Sequence, residues 1–204
     1  MLPTTPPTRR GRRPRWTVSC LVASIGVGVL LSICFGPTSL LKAQEDEQTA
    51  ASREYQIKAA FLYQFGRYVE WPAKSFSGPK SPFVIGVLDQ DPLIPDLEQI
   101  AKIKKIQDRP IQIRRFASAA DIRQCNILYL SPSLAPEAQA DVAHKMSGQG
   151  ILLVGDADKF LDWGGTMRFV VEDNKIRVEI ARKAAEHEGL TISAKLLQVA
   201  RVVD

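Results

Sequence analysis

Two short acidic motifs are the residues of this 204-residue chain best suited to chemistry. Asp89-Gln90-Asp91 and Asp156-Ala157-Asp158 each follow a continuous apolar run, Phe83 to Leu88 and Ile151 to Val154. Such runs read as strands covered on both faces, as in a parallel sheet. In open α/β sheets, ligands bind outside the carboxyl ends of the strands. Carboxylates converging there could hold Mg²⁺, a hard cation that prefers oxygen ligands, and a metal-dependent phosphohydrolase with an aspartate nucleophile would begin this way. Asp89, Asp91 and Asp156 are the weak metal candidates on that reading. The neighbouring residues argue for a plainer role. Pro92-Leu93 stands where a small polar continuation is wanted, and no Lys ends a suitable strand. Asp91 and Asp158 suit helix capping, with Pro92 at the first helical position.

The remaining reactive residue types are sparse. His144 and His187 are the only histidines, too few for a zinc site that needs three or four nitrogen or sulfur ligands. No serine sits in a G-x-S-x-G elbow. Gly148/Gly150 and Gly164/Gly165 lack the strand–glycine-rich turn–helix context of a phosphate cradle. The second pair fits a turn before a hairpin, where glycine tolerates positive φ. Cys125 opens an apolar run and is expected to be a buried thiol without a nearby histidine to activate it. No enzymatic activity, no catalytic residue, no metal and no cofactor are predicted.

The elements that carry these residues follow from periodicity. Ile57, Phe61, Phe65 and Tyr68 recur at helical spacing over Arg53 to Glu70, and Trp71-Pro72 ends that helix. Six of the 15 aromatic residues lie between Tyr55 and Trp71, which predicts a heavily buried first helix. A helix through Leu93, Leu97 and Ile100, a strand at Pro110 to Arg115 and a small helix near Ser118 follow. Cys125 to Leu130 and Ile151 to Val154 read as buried strands flanking a helix from Ala135 to Met146. Thr166 to Val171 and Lys175 to Ile180 flank Glu172-Asp173-Asn174 as a hairpin. Helical segments at Arg182 to His187 and Ser193 to Val202 close the chain. Strands alternating with helices predict an α/β three-layer sandwich: a mainly parallel sheet, helices on both faces, and a C-terminal β-hairpin at one edge.

The N-terminus carries an export signal. Arg9 to Trp16 is cationic, Val18 to Phe35 is apolar, and Leu41-Lys42-Ala43 offers a small-residue exit. Residues 1–43 are expected to be a signal peptide, with an uncleaved membrane anchor as the competing reading, because Trp16 to Gly36 approaches a spanning length. Either way the folded part lies outside the cytoplasm, in the periplasm. Residues 44–52 are expected to be a short flexible linker, and 53–204 one domain. The leader holds six of the 27 basic residues and none of the 22 acidic ones, so the formal charge of +5 becomes −1 in the mature chain. That excludes a nucleic-acid partner, which needs basic charge clustered on the folded domain. It also removes Cys20 and Cys34, leaving Cys125 without a disulfide partner.

Lys58-Ala59-Ala60-Phe61-Leu62-Tyr63-Gln64-Phe65 through Val69-Glu70-Trp71-Pro72 resembles the opening signature of the YfiR family. So do Ile85 to Leu88 with Asp91-Pro92, Cys125 to Tyr129, Leu153 to Asp156 followed by Phe160 and Gly164-Gly165, and Gly189 to Leu197. The resemblance spans about residues 53–203. It implies a non-catalytic periplasmic protein that represses an inner-membrane diguanylate cyclase by binding its sensory part, and so controls cyclic di-GMP synthesis. An outer-membrane lipoprotein that sequesters the repressor, and a homodimer, are implied as well. Ala181 and Ala194 stand where the family often has Asn and Ser, and the disulfides of its named member have no counterpart here. Arg67, Trp71, Trp163, Arg168, Arg177 and Glu179 are the expected partner- or ligand-binding residues, since aromatics and Arg are the usual interface anchors. A periplasmic small-molecule-binding module, with Asp89, Asp91 and Asp156 lining its pocket, is the alternative.

Overall fold

The structure is a computed structural model that describes residues 38–203; of the leader expected over 1–43, residues 1–37 lie outside the described residues. Residues Lys42–Asp204 form one compact unit. In chain order its elements are α1 (Thr38–Tyr68), β1 (Val69–Glu70), β2 (Phe83–Leu88), α2 (Ile94–Ile103), β3 (Lys105–Ile106), β4 (Arg109–Phe116) and β5 (Ile127–Leu130). Then come α3 (Pro136–Met146), β6 (Leu152–Gly155), β7 (Met167–Glu172), β8 (Lys175–Ala181), α4 (Arg182–His187), β9 (Thr191–Ile192), α5 (Ala194–Leu197) and β10 (Arg201–Val203).

Eight strands form one sheet in the order β10-β8-β7-β6-β5-β2-β4-β3. The pairs β2–β4, β2–β5, β5–β6, β6–β7 and β8–β10 are parallel, while β7–β8 and β3–β4 are antiparallel. This is the mainly parallel α/β sheet expected. Strand order reverses between β2 and β5, because β2 connects to β4 on one side and β5 returns to the other.

The period of two along each strand builds two cores. Ile85, Val87, Ile127, Tyr129, Leu152 and Val154 pack under Leu62 and Phe65 of α1, Leu97 of α2, Ala185 of α4 and Leu196 of α5. Val84, Leu88, Leu128, Leu130 and Leu153 face the other way, onto Val142, Ala143 and Met146 of α3. The continuous apolar runs exist because both faces are covered.

Four elements differ from the expectations. The first helix starts earlier than periodicity indicates, so residues 44–52 lie within α1. Asp91 does not cap α2 directly: the helix begins at Ile94 after Leu93, with Pro95 in its first turn, and Asp91 accepts the Leu93 N–H at 2.9 Å in the turn ahead. The hairpin turn is two residues, Asp173-Asn174, both at positive φ (49° and 57°), the geometry that matches strand twist. Finally, the predicted last helix stops at Leu197 and the chain re-enters the sheet as β10, which places the hairpin one strand in from the edge.

Gly165 shows what that architecture asks of a backbone. A Cβ there would lie 2.3 Å from the Phe160 ring and 2.6 Å from the Phe160 carbonyl oxygen, so only glycine lets the chain turn tightly into β7.

Candidate functional site

The carboxyl ends of β2, β5 and β6 bring together Asp91, Tyr129 and Asp156, and α1 lays Lys58 across them. The Lys58 side chain is only 5% exposed and its ammonium sits 3.1 Å from Asp156 Oδ2 and 2.6 Å from Glu54 Oε1. The Tyr129 hydroxyl donates to the same Asp156 oxygen at 2.7 Å. Burial alone would lower the Lys58 pKa, yet the Asp156 and Glu54 carboxylates outweigh it and hold the ammonium above the ordinary lysine value. Burial pushes the Asp156 carboxyl up, and Lys58 and the Tyr129 hydroxyl pull it only part of the way back. Burial, then the Asp156 charge, raises the Tyr129 phenol well beyond its ordinary range.

Each metal candidate has a partner within the chain, while Asp91 Oδ2 and Asp156 Oδ1 are buried without a hydrogen-bond partner. Asp156 faces the protein's own cation, Asp91 holds the turn before α2, and Asp89, at φ 72°, accepts from the Ser133 hydroxyl at 3.0 Å. Among the described residues no group of three or more His, Cys, Asp or Glu side chains is arranged to hold a metal ion. Asp158 is exposed and faces the Arg168 guanidinium at 3.5 Å; it caps no helix. His144 and His187 are exposed on α3 and α4.

Gly148 and Gly150 hold an anion, though not a phosphate. Both adopt positive φ (77° and 72°), and their N–H groups donate to the two oxygens of the buried Glu188 carboxylate at 2.6 and 2.8 Å. Consecutive backbone N–H groups in such turns form a concave anion nest, and here the chain fills it from its own α4 end. Sequence reasoning missed both Lys58 and Glu188. An unusual Lys within an apolar helix stripe was the one available signal for Lys58.

The six expected surface residues fall into two groups. Arg168 and Glu179 lie directly opposite each other on β7 and β8, joined at 2.6 Å, and Arg201 of β10 adds a second contact to Glu179 at 2.8 Å. Arg177 is exposed two residues before Glu179 on the same face. Trp163 is half-buried against the α3-side core. At the other end, Arg67 is exposed with its guanidinium over the Tyr63 and Tyr68 rings at 5.7 and 5.6 Å. Trp71 packs edge-on to Phe83, the first residue of β2, and donates its indole N–H to the Gly66 carbonyl. The hairpin group starts beside Gly155, the last residue of β6. The two groups therefore mark opposite ends of the sheet.

Beside the amino end, Cys125 and Asn126 line a cavity of about 80 Å³ with Ser75, Ser81 and Arg114. Pockets for metabolites usually run to about 300–1,000 Å³. Burial pushes the Cys125 thiol up to about 12, so it is a packed, unreactive group.

Fold and site together define a doubly wound α/β domain whose carboxyl edge carries the Lys58–Asp156 ion pair beside Tyr129 and Asp91. The sequence profile of the YfiR/HmsC-like family matches residues 55–201, and the chain belongs to that family. No curated protein matches it. Among solved structures, a conserved domain protein from Vibrio cholerae O1 biovar El Tor strain N16961 is 13% identical with a TM-score of 0.44, over 60% of this chain and 55% of that one. The ABC domain in complex with L-Trp from Streptococcus pneumonia is 14% identical with a TM-score of 0.43, over 59% and 55%. The chain spans about half the length of these structures, and likenesses this partial carry no further argument. Among the described residues no helix is long and apolar enough to cross a membrane.

Proposed function

We propose that this protein is a non-enzymatic periplasmic regulator that binds the sensory part of an inner-membrane diguanylate cyclase and represses it. The observation that carries the reading is the family match over residues 55–201, nearly the whole compact unit. Repression of this kind is a population shift: the regulator must bind the inactive state of its partner more tightly than the active one. Moving a partner from almost fully active to almost fully inactive takes a differential affinity of about 5.5 kcal/mol. Arg67 and Arg177 are the contacts best placed to supply it, since both are exposed and charged. Trp71 and Trp163 shape the two ends of the sheet from beneath. An outer-membrane lipoprotein competing for the same surface would lift the repression.

The test is capture from a membrane extract of the producing cell under mild detergent, with the tagged protein as bait. A membrane protein with a cyclase output domain is the expected prey. Arg177→Glu is expected to cut its recovery at least tenfold with the unfolding temperature unchanged. Recovery of no membrane signalling protein overturns the reading.

A further inference from the structure

The amino end of the sheet gathers charge of one sign. Residues 73–82, 109–116 and 122–126 meet there. They carry six basic residues (Lys74, Lys80, Arg109, Arg114, Arg115 and Arg123) and no Asp or Glu, although the mature chain as a whole is slightly acidic. The nearest acids along the chain, Asp108 and Asp121, are exposed, and neither lines the cavity of about 80 Å³ that these segments enclose. Its walls are fixed by the chain itself. Asn126, 3% exposed, donates to the Ser75 carbonyl at 3.3 Å and accepts the Val84 N–H at 2.8 Å. Arg109 donates to the Gly78 and Ser81 carbonyls at 2.9 and 2.8 Å and fastens the far side of the loop. Of the residues that line the cavity, Ser75 has a buried hydroxyl oxygen without a hydrogen-bond partner. Arg114 commits one N–H to the Gln124 carbonyl at 3.3 Å and one to the Gln112 side chain at 3.2 Å. A guanidinium carries five such donors.

We infer that this cavity binds one tetrahedral oxyanion, a phosphate or sulfate group, held by the Arg114 guanidinium and the Ser75 hydroxyl. Buried polar groups are ordinarily satisfied, so an unpartnered hydroxyl beside a guanidinium with donors to spare calls for an acceptor. The arginine fork suits an oxyanion of this kind. Cys125 does not oppose it, since burial keeps that group a neutral thiol at ordinary pH. A water takes about 30 Å³ of the liquid, so the space equals roughly three waters. That admits one such group and excludes a whole metabolite. Ser77 and Gln124 at the rim are exposed, so the group enters from solvent, either free or as the end of a larger molecule. The site lies at the opposite end of the strands from Lys58 and Asp156 and stands independently of the partner proposed above.

Equilibrium dialysis of radiolabelled inorganic phosphate against the protein isolated from the producing cell, at fixed pH and ionic strength, tests the site. Saturable binding of one phosphate per chain is expected, with a Kd near or below about 1 mM, which two charge-assisted hydrogen bonds can supply. Unlabelled sulfate competes. Arg114→Gln and Ser75→Ala are each expected to weaken binding at least about tenfold, with unfolding temperatures that show the fold is kept. Arg114→Lys keeps the charge without the fork and recovers part of the loss. Arg123→Gln removes a charge from the same zone without lining the cavity, and changes the affinity less than about twofold because exposed charges are screened. Competition by glycerol 3-phosphate assigns the end of a larger molecule, and phosphate binding without that competition assigns the free ion. Absence of saturable binding overturns the inference. So does binding that either Arg114→Gln or Ser75→Ala leaves unchanged, or that Arg123→Gln weakens as much as Arg114→Gln.

Discussion

Replacing Lys58 by Met isolates the buried ion pair from the packing around it, because Met keeps most of the apolar stem and removes only the ammonium. The variant leaves Asp156, whose side chain is 13% exposed, facing the sheet edge with the Tyr129 hydroxyl as its remaining partner. Removing one member of a buried pair typically costs about 3–5 kcal/mol, since the other charge stays desolvated. The Glu54 contact adds little, about 0.2–0.5 kcal/mol, because it is an i,i+4 pair on one helix whose Glu54 side chain is 35% exposed. Asp156 has a way to limit the damage, which is to bind a proton. Its pKa is already raised by burial, and losing Lys58 raises it further. A carboxyl whose folded pKa exceeds its unfolded value stabilises the fold below the unfolded pKa and loses that contribution as pH rises through the folded one. The loss in Lys58→Met is therefore expected to be about 3 kcal/mol at pH 8 and about 1–2 kcal/mol smaller at pH 5. Urea unfolding followed by circular dichroism at both pH values measures it, and adding Asp156→Asn should recover most of the pH 8 loss. An equal loss at the two pH values, or one below about 1 kcal/mol at pH 8, refutes the idea that this pair fastens α1 to the sheet.

Three other perturbations read different parts of the structure. Gly165→Ala drives a methyl into the Phe160 ring and carbonyl; a destabilisation of about 1–3 kcal/mol is expected, visible as a lowered urea midpoint, as for other overpacked sites. Glu188→Gln puts a donor against one of the two glycine N–H groups and should cost about 1–3 kcal/mol, with faster amide exchange at Gly148 and Gly150 by hydrogen-exchange mass spectrometry. Cys125, with its thiol pushed up to about 12, should resist iodoacetamide at pH 8 in the native protein and react fully in urea, read by peptide mass spectrometry.

Much of the fold is legible in the residues alone because its signals are local. Phe83 to Leu88 is apolar without alternation, so it must be covered on both sides, and the two cores bear this out residue by residue. The hairpin announces itself through Asp173-Asn174, whose types tolerate the positive φ that its turn requires. The family resemblance, carried by motifs in chain order, is likewise a property of sequence and agrees with the profile match over 55–201.

Tertiary structure alone decided the rest. Arg201 to Val203 follows a helical segment and is too short to declare itself; it becomes a strand because β8 offers a parallel ladder at Glu179 to Ala181. Asp156 looks like a ligand in sequence, and only the path of α1, which lays Lys58 over it from 98 positions away, makes it half of an ion pair. Glu188 is ordinary in sequence until the turn at Gly148 and Gly150 folds back to meet it. In each case the partner is distant along the chain. The free energy that fixes the role comes from desolvation and contact, quantities that no window of neighbouring residues contains.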